Sequence, residues 1–255
     1  MRGLDFICIG APRAGTTSLY MALRQHPEIY VPMEKGVPIE NIPIDVHMKK
    51  YFGGHEDKVI GEFVPGYMHH VGCADIVHSH WPEARIIVML RHPVKRAYSY
   101  WNMLRRGGVE HASFDEAFYR PGNIYRRCSL YGKILDPYYN LFKDILVVFF
   151  EDFVVKPELA IRQVFDFLGV SSFTPKHLDV QYNSAWQFST LLQKVARNIP
   201  GKQLVPRHLK HWVWWILERR HPQQKPPEID YSIYFDQEFI DDKELLEQLV
   251  GKVPW

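Results

Sequence analysis

Phe6-Ile-Cys-Ile-Gly-Ala-Pro-Arg-Ala-Gly-Thr-Thr-Ser-Leu-Tyr20 decides how this chain is read. An apolar strand, Phe6–Ile9, runs into a loop of glycine, arginine and hydroxyl residues, and a helical pattern follows over Thr17–Gln25. Gly10 and Gly15 let the backbone turn sharply with its amides inward, and a helix starting near Thr16 adds the positive end of its dipole. Arg13 contributes a fixed charge; Thr16, Thr17 and Ser18 contribute hydroxyls. Such a build is a phosphate cradle, and it predicts a nucleotide-like anion.

Working outward, apolar runs at Val59–Phe63, Arg85–Leu90 and Ile145–Phe150 read as further buried strands. Helical patterns fall between and after them at Ala74–His80, Val94–Arg105, Ser113–Phe118, Leu135–Lys143 and Leu159–Leu168, and a short tail helix is expected over Lys243–Val250. Strand, loop and helix in alternation predict an α/β fold, a central, mostly parallel sheet with helices on both faces. Ligands of such sheets sit beyond the carboxyl ends of the strands, where the opening loop falls.

The 255 residues read as one domain, with 183–228, rich in aromatics, basic residues and proline, as a lid or side-wall. A net charge of +2 argues against bulk nucleic-acid binding while leaving local basic clusters free to hold small anions. The three cysteines, Cys8, Cys73 and Cys128, lack metal-ligand spacing and cannot all pair, so a reduced cytoplasm is the expected home. The chain shows no signal-like leader and no window of transmembrane length.

A strand-loop-helix cradle usually belongs to a nucleoside-triphosphatase, which needs Gly-Lys-Ser/Thr at the end of the loop. Here the cation, Arg13, precedes Gly15, and the strand Arg85–Leu90 runs into Arg91 where a magnesium-holding Asp is wanted. No metal is expected. In Leu90-Arg-His-Pro-Val-Lys-Arg-Ala-Tyr-Ser-Tyr-Trp101, Pro93 suits a first helical turn, so Ser99 stands roughly 9 Å further along the helix than the loop residue Arg91. Only a long arginine meets that hydroxyl at a common phosphate. Two anion sites imply a nucleotide with phosphates at both ends.

Gly10-Ala-Pro-Arg-Ala-Gly-Thr-Thr-Ser-Leu19 and Arg91-His-Pro-Val-Lys-Arg-Ala-Tyr-Ser-Tyr100 resemble the 5'-phosphosulfate loop and the 3'-phosphate motif of sulfotransferases that use 3'-phosphoadenosine 5'-phosphosulfate. Gly61-Glu-Phe-Val-Pro-Gly-Tyr67, Phe150-Glu-Asp-Phe153 and the ending Leu246-Glu-Gln-Leu-Val-Gly251 extend the likeness, nearest the bacterial-type and carbohydrate branches. The resemblance implies a P-loop-like three-layer fold and in-line sulfuryl transfer to an acceptor hydroxyl or amine, expected on a carbohydrate, leaving adenosine 3',5'-bisphosphate. It implies that Arg13, Ala14, Gly15, Thr16, Thr17 and Ser18 surround the 5'-phosphosulfate and that Arg91 and Ser99 hold the 3'-phosphate. By the same likeness Tyr131 and Gly132 line the donor site, and Arg127 adds a contact there.

The acceptor must lose a proton, and Glu62 matches the glutamate of the carbohydrate branch's Glu-Lys-x-Pro-x-Tyr motif, which makes it the expected base. Its apolar strand neighbours are able to raise a carboxylate's pKa. The lysine expected next is Phe63, so Lys35 is the candidate replacement, while His69 and His70 are rival bases or acceptor contacts. A nucleotide kinase or triphosphatase, and a nucleotide-binding module without catalysis, are the competing readings.

Overall fold

The computed structural model describes residues 2–34, 36, 43–176 and 230–255; Lys35, the segment 183–228 and the side chain of His69 lie outside what it describes. Five strands, β1 (Phe6–Gly10), β2 (Ile29–Tyr30), β3 (Val59–Phe63), β4 (Arg85–Leu90) and β5 (Ile145–Phe149), form a sheet in the order β2-β3-β1-β4-β5. Every pairing is parallel. β1 is buried along its whole length, which is why it reads as an unbroken apolar run rather than an alternation. It places Ile7 opposite Glu62 on one side and Ile86 on the other. The four strands expected from the sequence are present, and β2, two residues long, is too short to show any period.

The helices are α1 (Thr16–Leu23), α2 (Ile44–Phe52), α3 (Cys73–His80), α4 (Pro93–Arg106), α5 (Phe114–Tyr119), α6 (Ile124–Arg127), α7 (Tyr131–Leu141), α8 (Phe150–Val155), α9 (Pro157–Leu168) and α10 (Gln237–Val250). With the parallel sheet they make the expected P-loop-like α/β fold. Pro93 opens α4 as anticipated, and Ser113 with Glu116 forms a reciprocal capping box on α5. Phe150 opens α8 instead of extending β5, and α10 begins well before Lys243. Arg126 explains that early start, because it bonds Asp236 and Glu238 ahead of and within the first turn of α10.

α7 and α10 lock together at Gly132. A Cβ there would stand 2.5 Å from the Asp242 carbonyl oxygen, so only glycine permits the approach. Asp242 returns the contact by accepting from the amides of Gly132 and Lys133 at 3.0 and 2.9 Å, satisfying two donors at the start of α7. Two apolar clusters result. One surrounds the sheet; the other gathers α4, α5, α6 and α10 through Val94, Trp101, Phe114, Phe118, Tyr125 and Phe239. Arg96, fully buried beside the second cluster, donates to Ser129 Oγ at 2.8 Å and to the Tyr125 carbonyl, pinning α4 to the turn before α7.

Candidate active site

At the carboxyl end of β1 the chain leaves the sheet through the expected cradle. The Ala11 amide donates to the Met89 carbonyl at 2.6 Å, which fastens the loop to the end of β4. Arg13 and Gly15 both take left-handed backbone angles, with φ of 73° and 89°. At Gly15 a side chain is barred twice: by φ, and by the Phe150 ring that a Cβ would meet at 2.9 Å. α1 then opens at Thr16 with this glycine as N-cap, so no side chain closes the first turn from the cap position. Thr16 is buried, Thr17 and Ser18 half-buried, and Ala14 is fully buried, so Ala14 has only backbone to offer a ligand.

Three of the predicted residues converge here. Arg13 Nε donates to Ser99 Oγ at 3.1 Å, and Arg91 Nη1 donates to the Arg13 carbonyl at 3.2 Å. Arg13 thus reaches the serine across the loop, while Arg91 braces the cradle from the end of β4. Its guanidinium lies 4.6 Å over the Phe150 ring, and its buried Nε has no hydrogen-bond partner among the described residues. Burial draws the Arg13 pKa below the ordinary guanidinium range, helped by the like charges of Arg91 and then Arg106. Arg106, seven residues beyond Ser99 on α4, was not anticipated; the i, i+7 spacing that puts both on one helix face is its sequence signal.

The Arg91 loop is itself held rigid. Tyr131 Oη donates to the Arg91 carbonyl at 2.8 Å, and the His92 amide donates to Glu151 Oε1 at 3.0 Å. Tyr131 therefore acts through Arg91, while Gly132 faces α10 in the contact already described. Glu151 partly offsets the burial that lowers the Arg91 pKa. His92 is pushed down to about 4, by burial first and by the Lys95 charge next, and so is neutral near pH 7. The ring of Trp255 packs against His92 and Tyr131. Arg127 is exposed on α6.

Glu62 lies one strand away, on β3, and is 2% exposed. Its Oε2 stands 3.2 Å from Nε2 of His47 on α2, a helix absent from the sequence reading. Burial pushes the Glu62 carboxyl above the usual carboxylate range, and the His47 bond only partly reverses this. The His47 ring sits among Tyr51, Phe52 and Trp81. Phe63 packs edge-on against Phe6 and Tyr20 with centroids 6.4 and 5.4 Å away, so the residue standing where the resemblance led us to expect a lysine is part of the core. His70 is exposed after a short 3-10 turn at Pro65–His69. Among the described residues, no three His, Cys, Asp or Glu side chains gather as a metal site, and no helix is long and apolar enough to cross a membrane.

Comparison with known proteins bears on the family and the fold. Residues 63–175 match the model of a sulfotransferase family. A membrane-associated sulfotransferase of Dictyostelium discoideum is 26% identical over 137 residues; the match covers 49% of this chain and 29% of that relative's length. The fold is similar to a sulfotransferase from Alicyclobacillus acidocaldarius, with a TM-score of 0.69 and 24% identity over 99% of this chain and 98% of the other. It is also similar to a sulfotransferase domain of the curacin biosynthetic pathway, with a TM-score of 0.53 and 14% identity over 100% and 99% of the two chains.

Proposed function

We propose that this chain is a sulfotransferase that moves a sulfuryl group from 3'-phosphoadenosine 5'-phosphosulfate to a hydroxyl or amine of a carbohydrate; the family-model match over residues 63–175 supports the class. The observation that carries the reading is the convergence of Arg13, Arg91 and Ser99 beyond the carboxyl ends of β1 and β4. The buried, unpartnered Nε of Arg91 and the mutual repulsion of three guanidinium groups both fit a bound polyanion.

In this reading the donor supplies an activated sulfuryl group on a good leaving phosphate. The cradle amides, Arg13 and the hydroxyls of Thr16, Thr17 and Ser18 stabilise charge on the 5' side; arginine there works electrostatically because it keeps its proton. Arg91 and Ser99 hold the 3'-phosphate, with Tyr131 fixing the Arg91 backbone and Arg106 adding a more distant positive charge. Glu62 takes the acceptor's proton, its affinity for it raised by burial. Acceptor contacts are assigned to His69, His70, Lys35 and the wall 183–228 of a single domain.

The test is a radiolabelled-donor screen across glycans, lipids, phenols and steroids without added metal. Labelled glycan is the expected result. Label on a lipid or a phenol instead would correct the acceptor, and no transfer despite firm binding of adenosine 3',5'-bisphosphate would leave a nucleotide-binding module. Magnesium-dependent use of ATP would replace the reading with a kinase.

A further inference from the structure

We propose that His47 is a positioning residue: it holds Oε2 of Glu62 through its Nε2–H, so that Oε1 alone receives the acceptor's proton. The inference rests on Glu62 being the base. The His47 side chain is fully buried and that of Glu62 is 2% exposed, and their polar atoms are 3.2 Å apart. Of the two carboxylate oxygens, only Oε2 carries a hydrogen bond to a described residue.

The protonation of His47 follows from its other nitrogen. Nδ1 is buried with no hydrogen-bond partner among the described residues. In the neutral Nε2–H form, that nitrogen is a bare lone pair, which burial tolerates. In the imidazolium it would be a charged N–H without an acceptor, a far more costly group to bury. The ring is held in place by Tyr51 at 5.0 Å, Phe52 at 6.0 Å and Trp81 at 6.4 Å between centroids. A fixed ring and one available tautomer make a fixed donor.

Charged groups stand behind these rings. Tyr51 Oη donates to Glu34, and Lys50 lies over the Tyr51 ring. His80 lies beyond Trp81, and from β1 the residue opposite Glu62 is the apolar Ile7. Among the described residues His47 is therefore the one titratable group acting directly on the Glu62 carboxyl, and its bond opposes the upward push of burial. In the transfer step the acceptor oxygen forms a bond to sulfur and the bond from sulfur to the 5'-phosphate oxygen breaks, its electron pair leaving with adenosine 3',5'-bisphosphate. The acceptor's proton passes to Oε1, and His47 keeps its own.

Removing the donor should destabilise the Glu62 carboxylate and leave less of it ionised near pH 7. In His47→Leu, kcat should fall about tenfold and the acid limb of the pH–rate profile should move up by about one unit, with donor KM unchanged. His47→Gln, whose amide nitrogen falls near the position of Nε2, should restore most of the rate. Nitrogen-15 NMR of histidine-labelled wild-type chain should show the His47 proton on Nε2 facing Glu62. A proton on Nδ1 alone, or a wild-type pH profile in His47→Leu, would each overturn the proposal. Full activity of Glu62→Gln would instead overturn the assignment of the base.

Discussion

The cradle at 10–18 and the Glu62 pocket belong to adjacent strands of one sheet, and burial drives both in opposite directions. In the cradle it weakens the hold of Arg13 on its proton and sharpens the demand for an anion. In the pocket it strengthens the hold of Glu62 on a proton, the property a base needs. In the proposed reading one region holds the donor's negative charge and the other accepts the acceptor's proton, so a substitution in either should damage one function and spare the other.

Glu62→Gln gives the largest separation. Turnover should drop by about two to four orders of magnitude, while calorimetry finds adenosine 3',5'-bisphosphate bound as in the wild type. A parallel loss of binding would merge the two regions into one. The same substitution should also raise stability. A carboxyl whose folded pKa lies above its unfolded value contributes stability at low pH that is lost as pH climbs through the folded pKa. The melting temperature of Glu62→Gln should therefore exceed wild type near pH 8, and the gap should close toward the ordinary carboxylate range.

Arg13→Ala and Arg91→Ala attack the other side. Each removes a half-buried charged donor and should weaken adenosine 3',5'-bisphosphate binding by roughly 10- to 100-fold at constant salt. Asp242→Ala, behind the site, leaves the amides of Gly132 and Lys133 without their acceptor and should cost about 2 kcal/mol in chemical denaturation. Nucleotide affinity of the folded fraction should stay near wild type. The smallest effect belongs to Arg106→Gln, a loss of about threefold in nucleotide binding that vanishes as salt rises, because this guanidinium is half-exposed.

The two regions also differ in how far the sequence revealed them. The cradle is contiguous, and its glycines, hydroxyls and arginine carry their chemistry in their order; the β4 end with Pro93 is equally local. Glu62 was recognisable through its motif, yet its environment was not. His47 sits on a short helix of mixed polarity, 15 residues before its partner, and nothing local in that stretch announces a buried imidazole. The bond from Arg13 to Ser99 was equally hidden, since it joins residues 86 positions apart, and so was the left-handed backbone angle at Arg13. Tyr131 and Gly132 were flagged, but the roles the structure gives them, bracing Arg91 and admitting α10, arise only from packing.

The central claim is that the clamp built by Arg13, Arg91 and Ser99 recognises a nucleotide phosphorylated at both its 3' and 5' positions. It is tested most directly by calorimetric titration of the chain with adenosine 3',5'-bisphosphate, adenosine 5'-monophosphate and ATP with magnesium. The account predicts that the bisphosphate binds without metal and at least tenfold more tightly than either of the others. Equal affinity for the monophosphate, or tighter binding of magnesium ATP, would contradict it.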